Sequence, residues 1–364
     1  MIIHRAFYRE AAQTTAAIVS VLLAILVLYG FTATLGRSVR GDYAEAIVLR
    51  LLGWQTLRRF DLLLPLGFYL GALLTLSRWY RDSEMTVLAA CGISLVQMLR
   101  PVLALAAVGA LLTAGASFYL TPLATRMASE LRAEGSQRPE LFGIAPGVFT
   151  EGAAGGRVLY AERVAPDGGM QQVFVHNPGK GRPRVVLARH GSAYLDPANG
   201  ARYVRLEDGW AYEGTPGAAD YRIVRFAAYT VRLDPRPVVA APASIEAMPT
   251  DALLGLSGSE AAGERHGRLS KPLLVFVLAL YALVLAHTDA RRGRLLNLFA
   301  AILVYFIYSN LLGLGETWLK RGALAAALGL WWVHGAMLAI ALFLLHQRNR
   351  NRPLLPRLRL APAS

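Results

Sequence analysis

The feature that most constrains this 364-residue chain is a set of six stretches that contain no Asp, Glu, Lys or Arg. A helix that crosses a bilayer needs roughly 17–25 mostly apolar residues, and five of the six stretches reach that length. The second stretch is shorter, but basic residues flank it, and long basic side chains can extend to the membrane interface. We therefore predict an α-helical membrane protein with six spanning helices in two groups of three. The stretches are residues 11–36, 62–77, 101–125, 272–288, 295–315 and 322–347.

The composition supports a membrane protein and argues against a nucleic-acid partner. Hydrophobic residues make up 55% of the chain and charged residues 17%, whereas soluble domains carry roughly 45–50% and about 25%. The net charge of +14 does not lie in the segment between the two helix groups, which has 18 basic and 16 acidic residues over 126–271. A nucleic-acid-binding chain would concentrate its positive charge on such a soluble part. The excess flanks the helices instead.

The predicted organisation has four regions, and the basic residues orient them. The first transmembrane triplet covers 1–125, with a surface helix at about 79–100. The soluble insertion covers 126–270, the second triplet 271–347 and a basic tail 348–364. Arginine is more abundant in the loops on the side of the two termini. The positive-inside rule places that side in the cytoplasm, so the insertion faces the periplasm of a bacterial inner membrane.

The soluble insertion alternates apolar and polar residues with a period of two, which is typical of β-strands. Segments rich in Val, Leu, Tyr and Phe are separated by turn clusters such as Asn177-Pro178-Gly179. Short strands at near-regular spacing predict an all-β insertion, a sandwich or jelly roll, with Val173 and Val175 facing inward. The same pattern also fits a soluble module that only decorates a membrane anchor. The predicted strands are 157–163, 171–176, 184–189, 201–206 and 221–233.

The chain shows no catalytic or metal-binding motif. A phosphate loop, a zinc-binding histidine spacing and a nucleophile elbow are all absent, and Cys91 is the single cysteine. We therefore expect no catalytic residue, metal or cofactor on this chain. His334, within the sixth stretch, is interpreted as a neutral imidazole bonded to a neighbouring helix. No Asp or Glu falls within the six stretches, which argues against an ion-coupled secondary transporter.

Residues 78–100, "RWYRDSEMTVLAACGISLVQMLR", form the most informative segment. Asp82 or Ser83 can cap a helix there, and apolar residues then follow a loosely helical stripe. Such a helix would lie along the cytoplasmic surface with Glu84 available to a partner protein. The alternative is that Glu84 is a solvated carboxylate that only complements the helix dipole.

Several motifs resemble one protein family over nearly the whole chain. They are the start "MIIHRAFYRE", the run Ser83-Glu84-Met85-Thr86-Val87 with Ala90-Cys91-Gly92, and the basic turn Arg291-Arg292-Gly293-Arg294. Together they resemble the LptF/LptG family, the permease subunits of the lipopolysaccharide export ABC transporter. The Cys91-Gly92 pair is closer to the LptF branch than to the LptG branch.

The resemblance implies a fold, a function and partners. It implies a periplasmic β-jelly roll between two groups of three transmembrane helices, and pairing with an LptG-like permease. An LptB-like ATPase dimer would bind and hydrolyse ATP below, so the chain itself would be a non-catalytic permease subunit. Lipopolysaccharide would leave the inner membrane through the cavity between the permeases. It would then enter the jelly roll and pass to LptC- and LptA-like bridge proteins.

The resemblance also implies site residues. The coupling helix that docks on the ATPase would carry Arg81, Ser83, Glu84 and Met85. Basic residues at the outer membrane face, Arg37, Arg40 and Lys271, would pair with lipid phosphates; ordinary interfacial anchoring is the alternative for these three.

The chain departs from the family pattern in two places, and two other functions stay open. Val284 and Ala290 stand where prolines are common in the family, and Ala33 stands where a basic residue is common. Arg37, one helical turn further on, can substitute for that basic residue. The other functions are a membrane anchor for a periplasmic assembly module and the ion-coupled transporter.

Overall fold

The fold is seen in a computed structural model of the chain. The structure describes residues 2–39, 45–137, 146–151, 156, 158–165, 168–178, 182–195, 202–215, 221–233, 244–287 and 294–350. The chain divides into two compact units. The first, a helical unit, comprises Met1–Val27, Gln55–Arg126 and Ser244–Ser364. The second comprises Leu28–Trp54 and Met127–Ala243 and contains the β-sheet.

Ten α-helices lie in the described part of the chain. A π-helical turn, Ala116–Leu120, joins α5 to α6, and a 3-10 turn, Ile245–Ala247, precedes α7. The helices are α1 Ile2–Val39, α2 Glu45–Leu57, α3 Phe60–Arg81, α4 Glu84–Ala90, α5 Leu95–Gly115, α6 Thr121–Gln137, α7 Thr250–Leu254, α8 Ser259–Leu285, α9 Arg294–Lys320 and α10 Trp331–Asn349.

Five of the six predicted spans are helices long and apolar enough to cross a membrane. They are α1, α3, α5 continued into α6, α8 and α9. The sixth stretch forms α10, which starts only at Trp331 and ends in the polar run His346, Gln347 and Arg348, so α10 falls short of the apolar span that we predicted. The membrane part is therefore a helical bundle with five candidate spans.

Helix α8 lies at the centre of the helical unit. It packs against α3, α5, α9 and α10, and its residues from Leu274 to Val284 are nearly all buried. Small residues allow close approach between α1 and α3, where a Cβ atom added at Gly71 would collide with the hydroxyl of Thr15. The two helix groups, far apart in the sequence, thus share one apolar core around α8.

A β-sheet is confirmed between the two helix groups, and each of the five predicted strands is present. Helices extend into the predicted insertion at both ends, since α6 continues to Gln137 and α8 begins at Ser259. Their connections are short, so each strand pairs antiparallel with the next in sequence to make one up-and-down sheet. A second sheet, which a sandwich or jelly roll would add, is absent from the residues that the structure describes. The strands are β1 Thr150–Glu151, β2 Val158–Val164, β3 Gly169–Asn177, β4 Arg184–Leu195, β5 Arg202–Glu213 and β6 Arg222–Leu233.

A bend line crosses this sheet from β2 to β6. In β3, Met170 and Val173 are buried on the same face, and Gln171 and Gln172 between them are both exposed. In each strand from β2 to β6, two consecutive exposed residues interrupt the alternation of buried and exposed positions. The pairing register is the same on both sides of this step. The outward residues are Glu162 and Arg163, Gln171 and Gln172, Arg189 and His190, Glu207 and Asp208, and Ala227 and Ala228.

The bend line explains how one sheet encloses an apolar face. Gln172 and Asp208, on alternate strands of the line, have φ angles of 51° and 52°, outside the range of extended strands. Because the strands stay paired in one register through the step, no strand carries the extra residue of a β-bulge, and the five strands share the change of face. On the apolar face, Val204 and Leu206 have no exposed surface. We call this face, built around Leu159, Val173, Val175, Val186, Val204 and Leu206, the apolar trough.

Candidate coupling surface and charge network

The segment predicted as one surface helix at about 79–100 is divided into three parts. Helix α3 ends at Arg81, α4 covers only Glu84–Ala90, and α5 begins at Leu95. Ser83 and Gly92 have left-handed φ angles of 61° and 84°, which interrupt the helical path at each side of α4. The surface element is therefore one short helix between two turns.

Of the two predicted capping residues, Asp82 and Ser83, it is Ser83 that occupies the N-cap position of α4. Its side chain makes no capping hydrogen bond. Met85 is buried and packs into the core of the helical unit, so it anchors α4. Val87, two residues on, is 61% exposed. One face of α4 is thus fixed to the bundle, and the other is open.

Glu84 lies at the exposed start of α4, and its side chain is 47% exposed. Its nearest cation is Arg78, with 3.7 Å between Glu84 Oε1 and Arg78 Nη2. Arg78 has a shorter ion pair, 2.7 Å, with Glu10, which also accepts a hydrogen bond from Trp79 Nε1. Because the pair with Glu84 is long and solvated, it contributes little to stability. Glu84 can therefore exchange its ion pair with Arg78 for a contact with another protein at little cost.

Arg81 and the surroundings of α4 complete this surface. Arg81 pairs with Asp82 at 3.3 Å and stays largely exposed. An open cavity of about 450 Å³ lies beside α4. It is lined by Tyr80, Met85, Thr86, Ala89, Ile93 and Leu95 together with His287 and Arg348. The four predicted coupling residues are therefore on one short segment, three of them exposed and Met85 holding it in place.

Of the three predicted phosphate-binding residues, the structure describes the side chain of one. The side chain of Arg37 and the whole of Arg40 lie outside the described residues. Lys271 Nζ contacts the carboxylate of Asp61, whose side chain is only 4% exposed. Since Asp61 already neutralises it, Lys271 would have to exchange this partner to bind a phosphate.

Sequence reasoning missed a group of buried charges in the helical unit. Helix α8 begins 13 residues before the charge-free stretch 272–288, and this extension holds Glu264 and Arg268. Asp61 lies in the first turn of α3, and Glu316 lies in the last turns of α9. The helices as they form therefore contain carboxylates, although the six charge-free stretches contain none. A search for charge-free stretches assumes that charges are excluded from the membrane part of a helix. It misses these carboxylates because each is paired with a cation.

Glu264, Arg268 and Glu316 form one connected network with Lys320, separate from the pair of Asp61 with Lys271. Arg268 Nε donates to Glu264 at 2.9 Å, and Lys320 Nζ donates to the same carboxylate at 3.1 Å. Lys320 also pairs with Glu316 at 2.7 Å. The spacing of Glu264 and Arg268, one helical turn apart, is the signal in the sequence that could have identified the pair.

His334 is bonded to a neighbouring helix, as predicted. Its Nδ1 lies 2.6 Å from the hydroxyl of Tyr308 in α9, and both residues are buried. Among the described residues, its Nε2 has no hydrogen-bond partner. The pair joins α9 to α10, which supports a structural interpretation of this histidine.

The candidate spans and the inserted β-sheet define a multi-pass membrane protein. The sequence matches the family described as lipopolysaccharide export system permease LptF/LptG over residues 5–347, and the chain belongs to that family. It is 32% identical over 352 residues to the lipopolysaccharide export system permease protein LptF of Escherichia coli K12, with 94% of each chain covered. The LptF protein of Shigella flexneri has the same identity and coverage. The resemblance seen in the motifs is confirmed.

Proposed function

We propose that this chain is the LptF-type subunit of a transporter that removes lipopolysaccharide from the bacterial inner membrane. The observation that carries the proposal is the family match over residues 5–347, on a fold that joins five candidate spans to a β-sheet with an apolar face. A transport permease needs no catalytic residue. The energy would come from a separate LptB-like ATPase dimer, which binds and hydrolyses ATP.

The exposed face of α4 is the proposed docking site of that ATPase. Met85 holds the helix against the bundle, and Glu84 projects from its first turn with only a weak, solvated ion pair. A short helix anchored on one face and open on the other suits insertion into a groove of a partner. Movement of the ATPase would then pass directly to α3 and α5, which α4 connects. This role requires the α4 side of the membrane, and both termini, to be cytoplasmic.

The apolar trough is the proposed path of the lipid acyl chains after they leave the membrane. Acyl chains avoid water, and a continuous face of Val, Leu, Ala and Met side chains gives them an apolar surface. The sheet also has edge strands, to which bridge proteins of the LptC and LptA kind could add strands. An LptG-like permease would complete the membrane cavity.

The test is copurification of the ATPase from detergent-solubilised membranes that hold the whole complex. Glu84→Lys places a cation at the proposed contact, so we expect it to release most of the ATPase and stop lipid export while the chain stays folded. Glu260→Lys is the matched control, because Glu260 is also an exposed first-turn glutamate but lies on α8. Glu260→Lys is expected to retain both ATPase binding and lipid export.

Two outcomes would contradict the proposal. Normal ATPase binding and export by Glu84→Lys would remove α4 as the docking site. Failure to recover any ATPase with the unmodified chain would favour a membrane anchor for a periplasmic assembly module.

A further inference from the structure

Arg268 of α8 is the most completely bonded side chain in the network of buried charges. Its side chain is 2% exposed, and its guanidinium donates on every side. Nε bonds to Glu264, Nη1 bonds to the hydroxyl of Thr250 at 2.8 Å, and Nη2 bonds to the carbonyl of Met248 at 2.9 Å. Longer bonds reach the carbonyls of Ile245 and Glu246. One side chain on α8 thus holds the whole segment 245–250.

That segment has a particular place in the chain. We call residues 244–254 the connector, because they follow β6 and lead from the β-insertion into α8. Its 3-10 turn and α7 are short, and neither has an N-cap side-chain hydrogen bond. The guanidinium of Arg268 donates to the Thr250 hydroxyl and to three carbonyls of the connector, and so adds bonds that its short helical turns do not make themselves.

The same contacts extend to the helix of the first triplet. The π-helical turn Ala116–Leu120 lies opposite Arg268, and Thr250 donates to the carbonyl of Phe118 there at 2.6 Å. Ser117, fully buried, donates to the main-chain carbonyl of Arg268 at 3.0 Å. A π turn shifts the local hydrogen-bond pattern and can leave carbonyls for outside donors. Here Thr250 of the connector is the outside donor to the π turn, and Ser117 of the turn is itself a donor to α8.

Glu264 extends the cluster to the second triplet, since Lys320 of α9 shares its carboxylate with Arg268. Arg268 is therefore the point at which the connector, the π turn after α5, and helices α8 and α9 are joined by hydrogen bonds and ion pairs.

We propose that Arg268 is a positioning residue for lipid transfer, which fixes the connector to the helices so that their movement reaches the chain segment leaving the β-insertion. The inference rests on the proposed function, because it concerns how the transport cycle acts on that insertion. Coupling between distant parts of a protein needs an element that both parts bias. The connector is bonded to α8 through the guanidinium of Arg268, and to the π turn of the first triplet through the hydroxyl of Thr250, which that guanidinium also contacts.

Arginine suits this position better than lysine. A guanidinium has five donors in a planar fork and can bond a carboxylate, a hydroxyl and a carbonyl at once, whereas an ammonium is a compact charge. Arg268→Lys would keep the charge beside Glu264 and so avoid leaving an unpaired buried carboxylate. It would lose the simultaneous bonds to the connector.

The experiment compares ATP hydrolysis with lipid release in the reconstituted complex. For Arg268→Lys we expect lipid release to a soluble acceptor to fall about tenfold while ATP hydrolysis stays within about twofold of the unmodified complex. Thr250→Val, which removes only the hydroxyl between Arg268 and Phe118, is expected to lower lipid release by a smaller factor and to leave ATP hydrolysis within the same twofold range. Thr317→Val is the matched control, because Thr317 is exposed and donates only within its own helix, to Gly313.

A nitroxide at position 251 gives a readout that does not depend on transport. Asp251 is exposed on α7, and the native cysteine is removed by Cys91→Ser. The spectrum is expected to show an immobilised label in the parent and a more mobile one in Arg268→Lys, with a label at position 260 unchanged.

The outcomes separate this inference from the proposed function. If the unmodified complex releases no lipid on ATP hydrolysis, the proposed function fails, and the inference fails with it. If the unmodified complex exports and Arg268→Lys exports equally well, only the inference is overturned. A parallel loss of ATP hydrolysis and release in both Arg268→Lys and Thr250→Val would make Arg268 a fold-stabilising residue alone and would also overturn it.

Discussion

The ammonium group of Lys271 in α8 contacts the buried carboxylate of Asp61 in α3, and so an ion pair joins helices from the two halves of the chain. Next to it, the Tyr305 hydroxyl of α9 donates to the carbonyl of Leu62 at 3.0 Å. The two contacts hold the first turn of α3 against both α8 and α9. An ion pair in such surroundings is costly to break from one side only.

Removal of the cation alone is expected to destabilise the protein. Lys271→Met leaves the Asp61 carboxylate buried without its partner, which costs about 3–5 kcal/mol in buried pairs. The double variant Asp61→Asn with Lys271→Met removes both charges and should recover most of that loss. Denaturant unfolding of the purified complex in detergent measures the two variants. Equal stability of the single and double variants would show that the pair is solvated rather than buried.

The same pair tests the predicted phosphate site. Asp61→Asn keeps Lys271 and removes its competitor, so a lipid phosphate should bind there more readily than in the unmodified chain. A photocrosslinking group beside Lys271 would then capture more lipopolysaccharide in Asp61→Asn and less in Lys271→Met. An unchanged yield in both variants would leave interfacial or structural pairing as the role of Lys271.

Alternate residues of β3 should differ in lipid contact. Val173 and Val175 are 1% and 2% exposed on the apolar trough, whereas Phe174 and His176 lie on the other face of the sheet. Photocrosslinkers at 173 and 175 are therefore expected to capture lipopolysaccharide during ATP turnover, and those at 174 and 176 are not. Labelling of both faces to the same extent would argue against a lipid path through the trough.

The bond between Tyr308 and His334 should stabilise the packing of α9 against α10. Tyr308→Phe leaves the buried imidazole without its hydroxyl partner, which typically costs about 1–3 kcal/mol. Adding His334→Leu removes the second polar group, and the double variant should be more stable than Tyr308→Phe alone. Denaturant unfolding measures the stability of the single and double variants, and lipid export by the double variant tests whether His334 has any role beyond packing. Loss of export in a double variant whose stability is restored would show that His334 has such a role.

Patterns along the chain predicted the parts of the fold that depend on local composition. Apolar stretches locate helices because unpaired charge is excluded from them, and alternation locates strands because one face of the sheet is buried. Residues 157–163 and 171–176 thus predicted β2 and β3 to within a few residues. The Glu84 segment was found in the same way, from a cap and an apolar stripe.

Features that depend on pairing in space were not predictable in this way. A charge beside an apolar stretch looks the same in the sequence whether it faces water, like Arg81, or is buried against a partner, like Arg268. The partner of Asp61 lies 210 positions away. Likewise, the bend line in the β-sheet follows from the alignment of outward-facing residue pairs on five strands, and a single strand shows only an ordinary break in its alternation.

The bend line depends on the backbone conformation of Asp208. Asp208 adopts a φ of 52°, which costs a residue with a side chain about 1 kcal/mol and costs glycine almost nothing. Its ion pairs with Arg189 and Arg225, at 3.3 and 4.0 Å, join exposed side chains and contribute little. Asp208→Gly should therefore slow hydrogen exchange of the β5 amides in the full chain, or leave it unchanged. Asp208→Val should speed it, because a β-branched residue disfavours this conformation strongly.

The neighbouring residue Glu207 provides the control. It lies on the same strand, is exposed, and pairs with Arg205 at 3.0 Å, but its φ is not positive. Valine favours extended strands, so Glu207→Val should leave β5 as stable as before or slightly more stable. If Glu207→Val and Asp208→Val weakened β5 equally, the loss of charge rather than the backbone conformation would explain both, and the bend line would not depend on the left-handed residue. A difference confined to Asp208 would show that the sheet closes over its apolar trough through that local conformation.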